Sequence, residues 1–133
     1  MKVKHLVGAF LCVLGCYACS SPKTEVQSPD GHIKMTLTVD ENGKPFYNVS
    51  VDDSLLIENS AIGFTAANGI ILSEGFQVKN TTFSSEDETW TQPWGENKKN
   101  RNHYNEMAVS LTNEDQVQLT LRFRVFDDVI GFR

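Results

Sequence analysis

Residues 117–125 read Val-Gln-Leu-Thr-Leu-Arg-Phe-Arg-Val, and this stretch decides the fold class. Every second side chain is apolar and every intervening side chain is polar, which is the period of a β-strand that buries one face. The apolar positions are Val117, Leu119, Leu121, Phe123 and Val125. The stretch therefore predicts a strand that lies on one side of a hydrophobic core.

The same alternation recurs on both sides of this stretch. The further predicted strands cover 33–39, 47–51, 55–57, 62–66, 107–111 and a run from Phe76 towards Phe83. Asn42-Gly43, Asp52-Asp53 and Asn68-Gly69 separate several of them, and such dipeptides favour tight hairpin turns. No segment after residue 18 shows helical periodicity. Short strands joined by frequent turns predict an all-β fold, an antiparallel β-sandwich.

The first eighteen residues are predicted to be a signal peptide. Lys2 and Lys4 provide a positive start, and the thirteen residues from Leu6 to Ala18 carry no charge. A membrane span needs about 20 apolar residues, so this run is too short to cross a bilayer and suits the apolar core of a secretion signal.

The end of the signal resembles a bacterial lipobox, in which a small residue precedes a cysteine that becomes lipidated. Gly15-Cys16 and Ala18-Cys19 both fit this pattern. Cys16 has the better apolar residue upstream, while Cys19 has the more usual Ser-Ser after it. The other interpretation is an ordinary secretion signal with incidental cysteines. Residues 19–28 have the composition of a flexible tether, and residues 29–133 are assigned to the domain.

Cysteine content and charge restrict the function of the exported chain. The three cysteines are Cys12, Cys16 and Cys19, so residues 20–133 can form neither a disulfide framework nor a cysteine metal site. Without Lys2 and Lys4, ten basic residues face seventeen acidic ones, which gives a net charge of −7. Such a domain is not expected to bind a nucleic acid. Neutral carbohydrate or another protein is the more natural partner.

Residues 84–106 interrupt the strand pattern and contain both tryptophans of the chain. We expect an ordered loop here, because disordered segments contain few aromatic residues and long loops in compact domains are usually functional. The candidate residues of this carbohydrate-binding or interdomain loop are Trp90, Trp94, Glu96, Arg101 and Asn105. The alternative is that the tryptophans plug the end of the sandwich, with the polar residues bracing the loop. Arg101 is expected to pair with Glu96 or Glu106.

Metal and catalytic constellations are weaker. Glu86, Asp87 and Glu88 are adjacent acids that could contribute to a calcium site, although adjacent loop acids are usually solvated. His32 and His103 have no partner at ligand spacing, which argues against a zinc site. Asp127-Asp128 is better explained by a turn than by a catalytic carboxylate pair.

Several motifs resemble the amino-terminal domain of glycoside hydrolase family 97, from Ser28 to the last residue. They are Ser28–Gly31, Asp87–Trp90, Gln92–Glu96, Arg101–Glu106, Phe123–Asp128 and Gly131–Arg133. The tryptophan segment is the most specific of them. One departure is Val129, where the family usually has Gly, and a positive φ there would be costly for Val.

The resemblance implies a partial galactose-mutarotase-like β-supersandwich that accompanies a catalytic (β/α)₈ barrel and a small carboxy-terminal β domain. Members are α-glucosidases or α-galactosidases of the Gram-negative periplasm or envelope, and many bind calcium. Their catalytic carboxylates lie on the barrel and their calcium ligands outside the region compared, so no catalytic or metal residue transfers to this chain. We therefore expect an accessory domain that supports the barrel and its carbohydrate pocket and is inactive alone. The alternatives are a free-standing carbohydrate-binding lipoprotein and a structural interaction module.

The last five residues, 129–133, read as the opening of another strand, so the domain is expected to be incomplete at its carboxy end. In that case residues 116–127 would present an unpaired edge or an uncovered apolar face, and exposed edges promote association.

Overall fold

The computed structural model describes residues 24–96 and 98–133. The predicted signal peptide, with Cys16 and Cys19, lies outside the described residues. Within them, no helix has the length and apolar character needed to cross a membrane.

The described residues form two four-stranded antiparallel sheets and one small two-stranded sheet. In chain order the strands are β1 Glu25–Gln27, β2 Ile33–Val39, β3 Pro45–Val51, β4 Ser54–Ala61, β5 Phe64–Thr65, β6 Ile71–Leu72, β7 Gln77–Thr91, β8 Lys99–Thr112, β9 Gln118–Val125 and β10 Ile130–Phe132. The first sheet has the order β1-β2-β3-β4, the second β10-β9-β8-β7, and β5 pairs with β6. The predicted all-β antiparallel class is confirmed, and the two larger sheets enclose one core, as in a sandwich.

The core forms where the inward faces of the two sheets meet. The first sheet contributes Met35 and Leu37 and the second contributes Met107, Leu121 and Phe123, all with no exposed surface. These side chains occupy alternate positions on their strands, so the alternation of apolar and polar residues in the sequence predicts which side chains are buried.

The predicted turns separate the strands. Gly43 lies between β2 and β3 with φ 75°, and a Cβ built there would come within 2.4 Å of the backbone nitrogen of Phe76. Glycine is therefore required both by the dihedral angle and by the close approach of this neighbouring segment. Asp52 and Asp53 join β3 to β4 with φ values of 49° and 63°.

The prediction of a flexible tether up to residue 28 is wrong at its carboxy end. Glu25–Gln27 forms β1 and pairs with residues 34–36 of β2. Val26 is 5% exposed and Ser28 is 3% exposed. A polar composition concealed this strand, since only one of its three side chains has to be apolar when it covers a core edge.

The edge expected to be open at residues 116–127 is covered only in part, because residues 118–121 have no strand partner among the described residues on the side away from β8. β9 pairs with β8 along its whole length, and β10 pairs with its last three residues. Val129 is not among the described residues with positive φ, so the departure from the family pattern at this position causes no strain.

The predicted loop at 84–106 is instead the outer half of a long β-hairpin. β7 and β8 stay paired from Gln77↔Thr112 to Thr91↔Lys99. The hairpin was missed because most of its side chains beyond Phe83 are polar on both faces, which removes the hydrophobic alternation that marks a half-buried strand. Backbone pairing, which any residue except proline can provide, maintains the strands here.

Candidate functional site

We call residues 84–106 the hairpin arm. All the side chains of its β7 half are exposed. The N–H of Gln92 donates to the carbonyl of Lys98 at 3.1 Å and closes the tip. Gly95 in the tip has φ 104°, a dihedral angle that L side chains rarely adopt. The arm therefore projects its tip away from the sandwich core.

The two tryptophans lie at the end of the arm. Trp90 pairs with Asn100 and is 44% exposed, while Trp94 in the tip is 76% exposed. Glu96, also in the tip, is exposed. This exposure contradicts the alternative in which the tryptophans plug the sandwich, since a plug would lose its contact with water. Large exposed aromatic faces are typical of binding surfaces.

Arg101 braces the arm, but its partner is Asp87. Its Nε and one terminal nitrogen donate to the two carboxylate oxygens of Asp87, each at 2.9 Å. This pair holds the pKa of Asp87 below its usual value. The expected pairing with Glu106 is wrong because Arg101 and Glu106 are five residues apart on one strand, so their side chains point to opposite faces.

Asn105 anchors the base of the arm to the first sheet. Its Nδ2 donates to the carbonyl of Gln27 in β1 at 2.8 Å. The amide side chain therefore acts as a brace between the two sheets.

A second inter-sheet contact lies beside this brace. The backbone N–H of Asp30 donates to a carboxylate oxygen of Asp127 at 3.0 Å, and Asp127 follows the end of β9. The Ser28 hydroxyl donates to Asp30 at 2.5 Å, which contributes most to lowering the pKa of Asp30. Asp127 thus serves a turn, as predicted, and ties it to the first sheet.

His32 pairs with Asp52 near this contact. The hydrogen bond between its ring Nδ1 and the Asp52 carboxylate raises the pKa of His32, and the negative charges of Asp52 and Asp30 add to this effect. Sequence reasoning had found no partner for His32, because Asp52 lies twenty residues away and meets it only through the pairing of β2 with β3.

Glu106 is the buried carboxylate of the second sheet, with 7% of its surface exposed. It lies on the face directed away from the core. Arg122 donates to one of its oxygens at 2.9 Å and Arg124 to the other at 2.6 Å. Arg124 contributes most to lowering the pKa of Glu106 and Arg122 adds to it. Sequence analysis missed this cluster, although alternate arginines on β9 and an acid on β8 were visible signals.

The acidic run 86–88 does not converge on a point. Glu86 and Glu88 lie on one face of β7 and Asp87 lies on the other, because neighbouring strand residues alternate. Across residues 24–96 and 98–133, no group of three or more His, Cys, Asp and Glu side chains has a metal-binding arrangement. The three adjacent acids therefore do not converge as ligands of one calcium ion.

The arrangement as a whole is suited to binding. The arm carries exposed indole rings on a braced two-stranded support, with carboxylate, amide and guanidinium groups along both faces. Indoles can pack on the apolar faces of sugar rings, and the polar groups can bond to hydroxyls. The described carboxylates with lowered pKa values are already paired or hydrogen-bonded, so they are unsuited to act as general acids at neutral pH.

Comparisons with known proteins agree on one family. The sequence model described as "Glycosyl-hydrolase 97 N-terminal" matches residues 26–133. A retaining alpha-galactosidase of Bacteroides thetaiotaomicron is 28% identical over 132 residues, which are 98% of this chain and 19% of that protein. The chain thus spans about a fifth of the length of this curated relative.

Solved structures agree with the sequence comparison. A glycoside hydrolase family 97 enzyme from Pseudoalteromonas sp. strain K8, in complex with panose, superposes with a TM-score of 0.74 and 34% identity, over 81% of this chain and 16% of that chain. A structure of a family 97 enzyme from the same strain in complex with acarbose gives the same TM-score and identity. A beta-arabinopyranosidase shares the fold, with a TM-score of 0.73 and 24% identity over 81% of this chain and 17% of its own.

Proposed function

Because the chain belongs to the glycosyl-hydrolase 97 N-terminal family, we propose that it acts as the accessory domain of an α-glycoside hydrolase, of the α-glucosidase or α-galactosidase type. In this role it supports a catalytic barrel and does not hydrolyse glycosides alone. The observation that supports the role most directly is the family match over residues 26–133. The predicted resemblance to this family is confirmed by that match.

We further propose that the hairpin arm forms part of the wall of the carbohydrate pocket. Trp94 has the exposure needed to contact a sugar ring or a facing domain, and Trp90 lies near it at the end of β7. The Asp87–Arg101 pair and the hydrogen bond from Asn105 to Gln27 fix the orientation of the arm. A fixed support reduces the entropy lost when a surface binds its partner.

The location of the chain is also a proposal. A lipid anchor on Cys16 or Cys19 would place the domain in the periplasm or at the outer membrane of a Gram-negative bacterium. In that case the anchor is the chain's contact with the membrane, and α-glycosides and the barrel are its partners.

The arm can be tested in a complete family 97 enzyme that receives residues 84–106 of this chain. Trp94→Ala in this chimera should raise KM or lower kcat while the melting temperature stays unchanged. Ser85→Ala, at an exposed position of β7 inside the graft and far from the tip, is the matched control and is expected to leave both kinetic constants unchanged. Unchanged kinetics for Trp94→Ala would refute the pocket-wall role.

The accessory role has its own test on the chain alone. Purified protein should not hydrolyse nitrophenyl α-glucoside or nitrophenyl α-galactoside. Turnover that a point mutation in this chain abolishes would show that the domain is itself catalytic. Tight binding of a free α-glucan by the isolated chain, without any catalytic partner, would instead favour the free-standing carbohydrate-binding lipoprotein.

A further inference from the structure

The two faces of the hairpin arm differ in their chemistry. Phe83, just before the arm, lies opposite Met107, which is fully buried in the core. Because strand residues alternate between faces, the odd-numbered residues of the arm continue the core-facing side of the sheet and the even-numbered residues point away from it. We call the even-numbered residues near the tip the outer face of the arm; they are Glu88, Trp90, Asn100 and Asn102.

The core-facing side of the arm uses its polar groups for structure. The guanidinium of Arg101 donates two hydrogen bonds to the carboxylate of Asp87. The amide of Asn105 donates to the carbonyl of Gln27 in the first sheet. Two of the candidate carbohydrate-binding residues, Arg101 and Asn105, therefore lie on the side of the arm that serves the sandwich.

The outer face keeps polar groups that the described structure does not use. At the base of the arm Glu106 accepts hydrogen bonds from Arg122 and Arg124. Farther out, within residues 24–96 and 98–133, the side chains of Glu88 and Asn102 make no hydrogen bond or ion pair. These two residues are opposite each other in the ladder, and such partners have Cβ atoms about 4.5–5.5 Å apart. Both groups can therefore act on neighbouring atoms of one ligand.

Trp90 lies beside this pair and is held more firmly than Trp94. It follows Glu88 by two residues on β7, about 7 Å along the strand. Trp90 is 44% exposed and Trp94 is 76% exposed, so neighbouring groups cover more than half of the Trp90 side chain. A side chain that is already restrained loses less conformational freedom when it binds a ligand.

The outer face lies away from the last residue. Arg133 exchanges two backbone hydrogen bonds with Arg122, which is opposite Ala108 in β8. Asn102 is six residues farther along β8, about 20 Å away at roughly 3.3 Å per residue. The outer face therefore does not adjoin the end of the chain.

We propose that the outer face binds one neutral pyranose ring. A C–H face of the ring packs on the indole of Trp90, and two vicinal hydroxyls bond to the Glu88 carboxylate and the Asn102 amide. The carboxylate accepts hydrogen bonds and the amide both donates and accepts them, which complements hydroxyls that do both. The choice of a sugar rests on the proposed pocket-wall role of the arm, and Trp94 then serves the contact with the facing domain.

The site can be tested on the exported chain by NMR, because its two tryptophans give two indole N–H signals. The probe is methyl α-D-glucopyranoside, and tetrahydropyran-2-methanol, which has no vicinal hydroxyls, is the counterpart. We expect saturable shifts at Trp90 with the sugar, with a Kd on the order of millimolar for a ligand of this size, and none with the counterpart. Equal shifts with both compounds, or no saturable shift with the sugar, would overturn the proposal.

Variants on the two faces sharpen the test. Glu88→Ala and Asn102→Ala should each weaken binding about threefold to tenfold, as expected for the loss of one hydrogen-bonding group. The melting temperature should stay unchanged, because neither side chain has a polar partner in the described structure. Thr89→Ala, at an exposed position on the core-facing side between Glu88 and Trp90, is the matched control and should leave the Kd unchanged. Equal losses in Thr89→Ala and Glu88→Ala would contradict a site on the outer face.

The remaining outcomes separate this site from the pocket-wall role. Shifts of the Trp94 indole without shifts of the Trp90 indole would place the sugar at the tip and overturn the assignment to the outer face. Unchanged kinetics of the Trp94→Ala chimera would refute the pocket-wall role, whereas the titration reports on the outer face directly. A millimolar Kd for one sugar ring also differs from the tight α-glucan binding expected of a free-standing lipoprotein.

Discussion

Arg101 reaches diagonally across the hairpin arm to Asp87 and donates two parallel hydrogen bonds of 2.9 Å. The residues directly opposite these two in the ladder are Thr89 and His103. The pair therefore ties β7 to β8 beyond the sandwich core, where side-chain packing contributes little.

Loss of this pair should loosen the arm more than the domain. Arg101→Gln and Asp87→Asn should each speed hydrogen exchange of the arm amides, and the double variant should add little to either, because one interaction is lost in all three. The effect is small, since both side chains are more than half exposed. Exchange by NMR or mass spectrometry measures it, with Lys98→Gln in the tip as the control. Additive effects of the two changes would show that the residues act independently.

Trp94 should contribute little to the stability of the isolated chain. Its 76% exposure means that Trp94→Ala should change the free energy of unfolding by less than about 0.5 kcal/mol. Phe123→Ala, at a position with no exposed surface, should cost about 3–5 kcal/mol. Urea unfolding compares the two. A loss above about 2 kcal/mol for Trp94→Ala would restore the sandwich-plug interpretation.

Glu106 should make stability depend on acid pH. Arg124 and Arg122 lower its pKa below the usual 4.5, so the folded chain binds this proton less readily than the unfolded chain. The stabilisation is present above about pH 4.5 and is lost as the pH falls through the lowered pKa. Glu106→Gln should cost about 1–2 kcal/mol at neutral pH, a modest value because both arginines remain partly hydrated.

Melting temperatures across pH 3–7 check the sign of this effect. The difference between the parent chain and Glu106→Gln should be largest near neutrality and should shrink as the pH falls below about 4.5. Glu114→Gln, an exposed acid in the β8–β9 turn, is the control. A difference that stays constant with pH would show that the loss comes from packing and not from charge.

Self-association should depend on an apolar strip between β4 and β10. Leu56 is 70% exposed, Val129 53% and Phe132 49%, and all three line a cleft of about 360 Å³ at the open side of the core. We expect Leu56→Lys to reduce the concentration-dependent mass seen by sedimentation, because exposed apolar patches promote association. Glu74→Lys, at an exposed position outside this strip, is the matched control. A parent chain that stays monomeric at high concentration would contradict this expectation.

The amino terminus of the mature chain should carry a lipid on Cys16 or Cys19. Mass spectrometry of the membrane fraction should find an acylated cysteine as the first residue. Cys16→Ser and Cys19→Ser, made separately, identify which of the two is used, since only one substitution should release the protein from membranes. A soluble product cleaved elsewhere would show an ordinary secretion signal.

The half-buried strands could be derived from the sequence alone. In Ile33–Val39 and Gln118–Val125 each apolar side chain had to face the core and each polar one had to face water, so the alternation specified both the strand and its orientation. The turns at Gly43 and Asp52-Asp53 could also be predicted, because their backbone angles suit few residue types. The family resemblance, carried by the motifs around Trp94 and Tyr104, agreed with the comparisons.

The hairpin arm and the arginine cluster were decided by the tertiary structure. Beyond Phe83 the arm carries polar residues on both faces, so no hydrophobic period distinguishes a strand from a loop, and only pairing with β8 defines it. The partners of Arg101 and Glu106 depend on the strand register. A shift of the register by one residue would exchange the two faces of β8 and change every side-chain contact on them. Composition and periodicity determine what is buried, because water acts on each side chain separately. Which charges meet depends on strands that are distant in the chain, and that arrangement exists only once the sheets have formed.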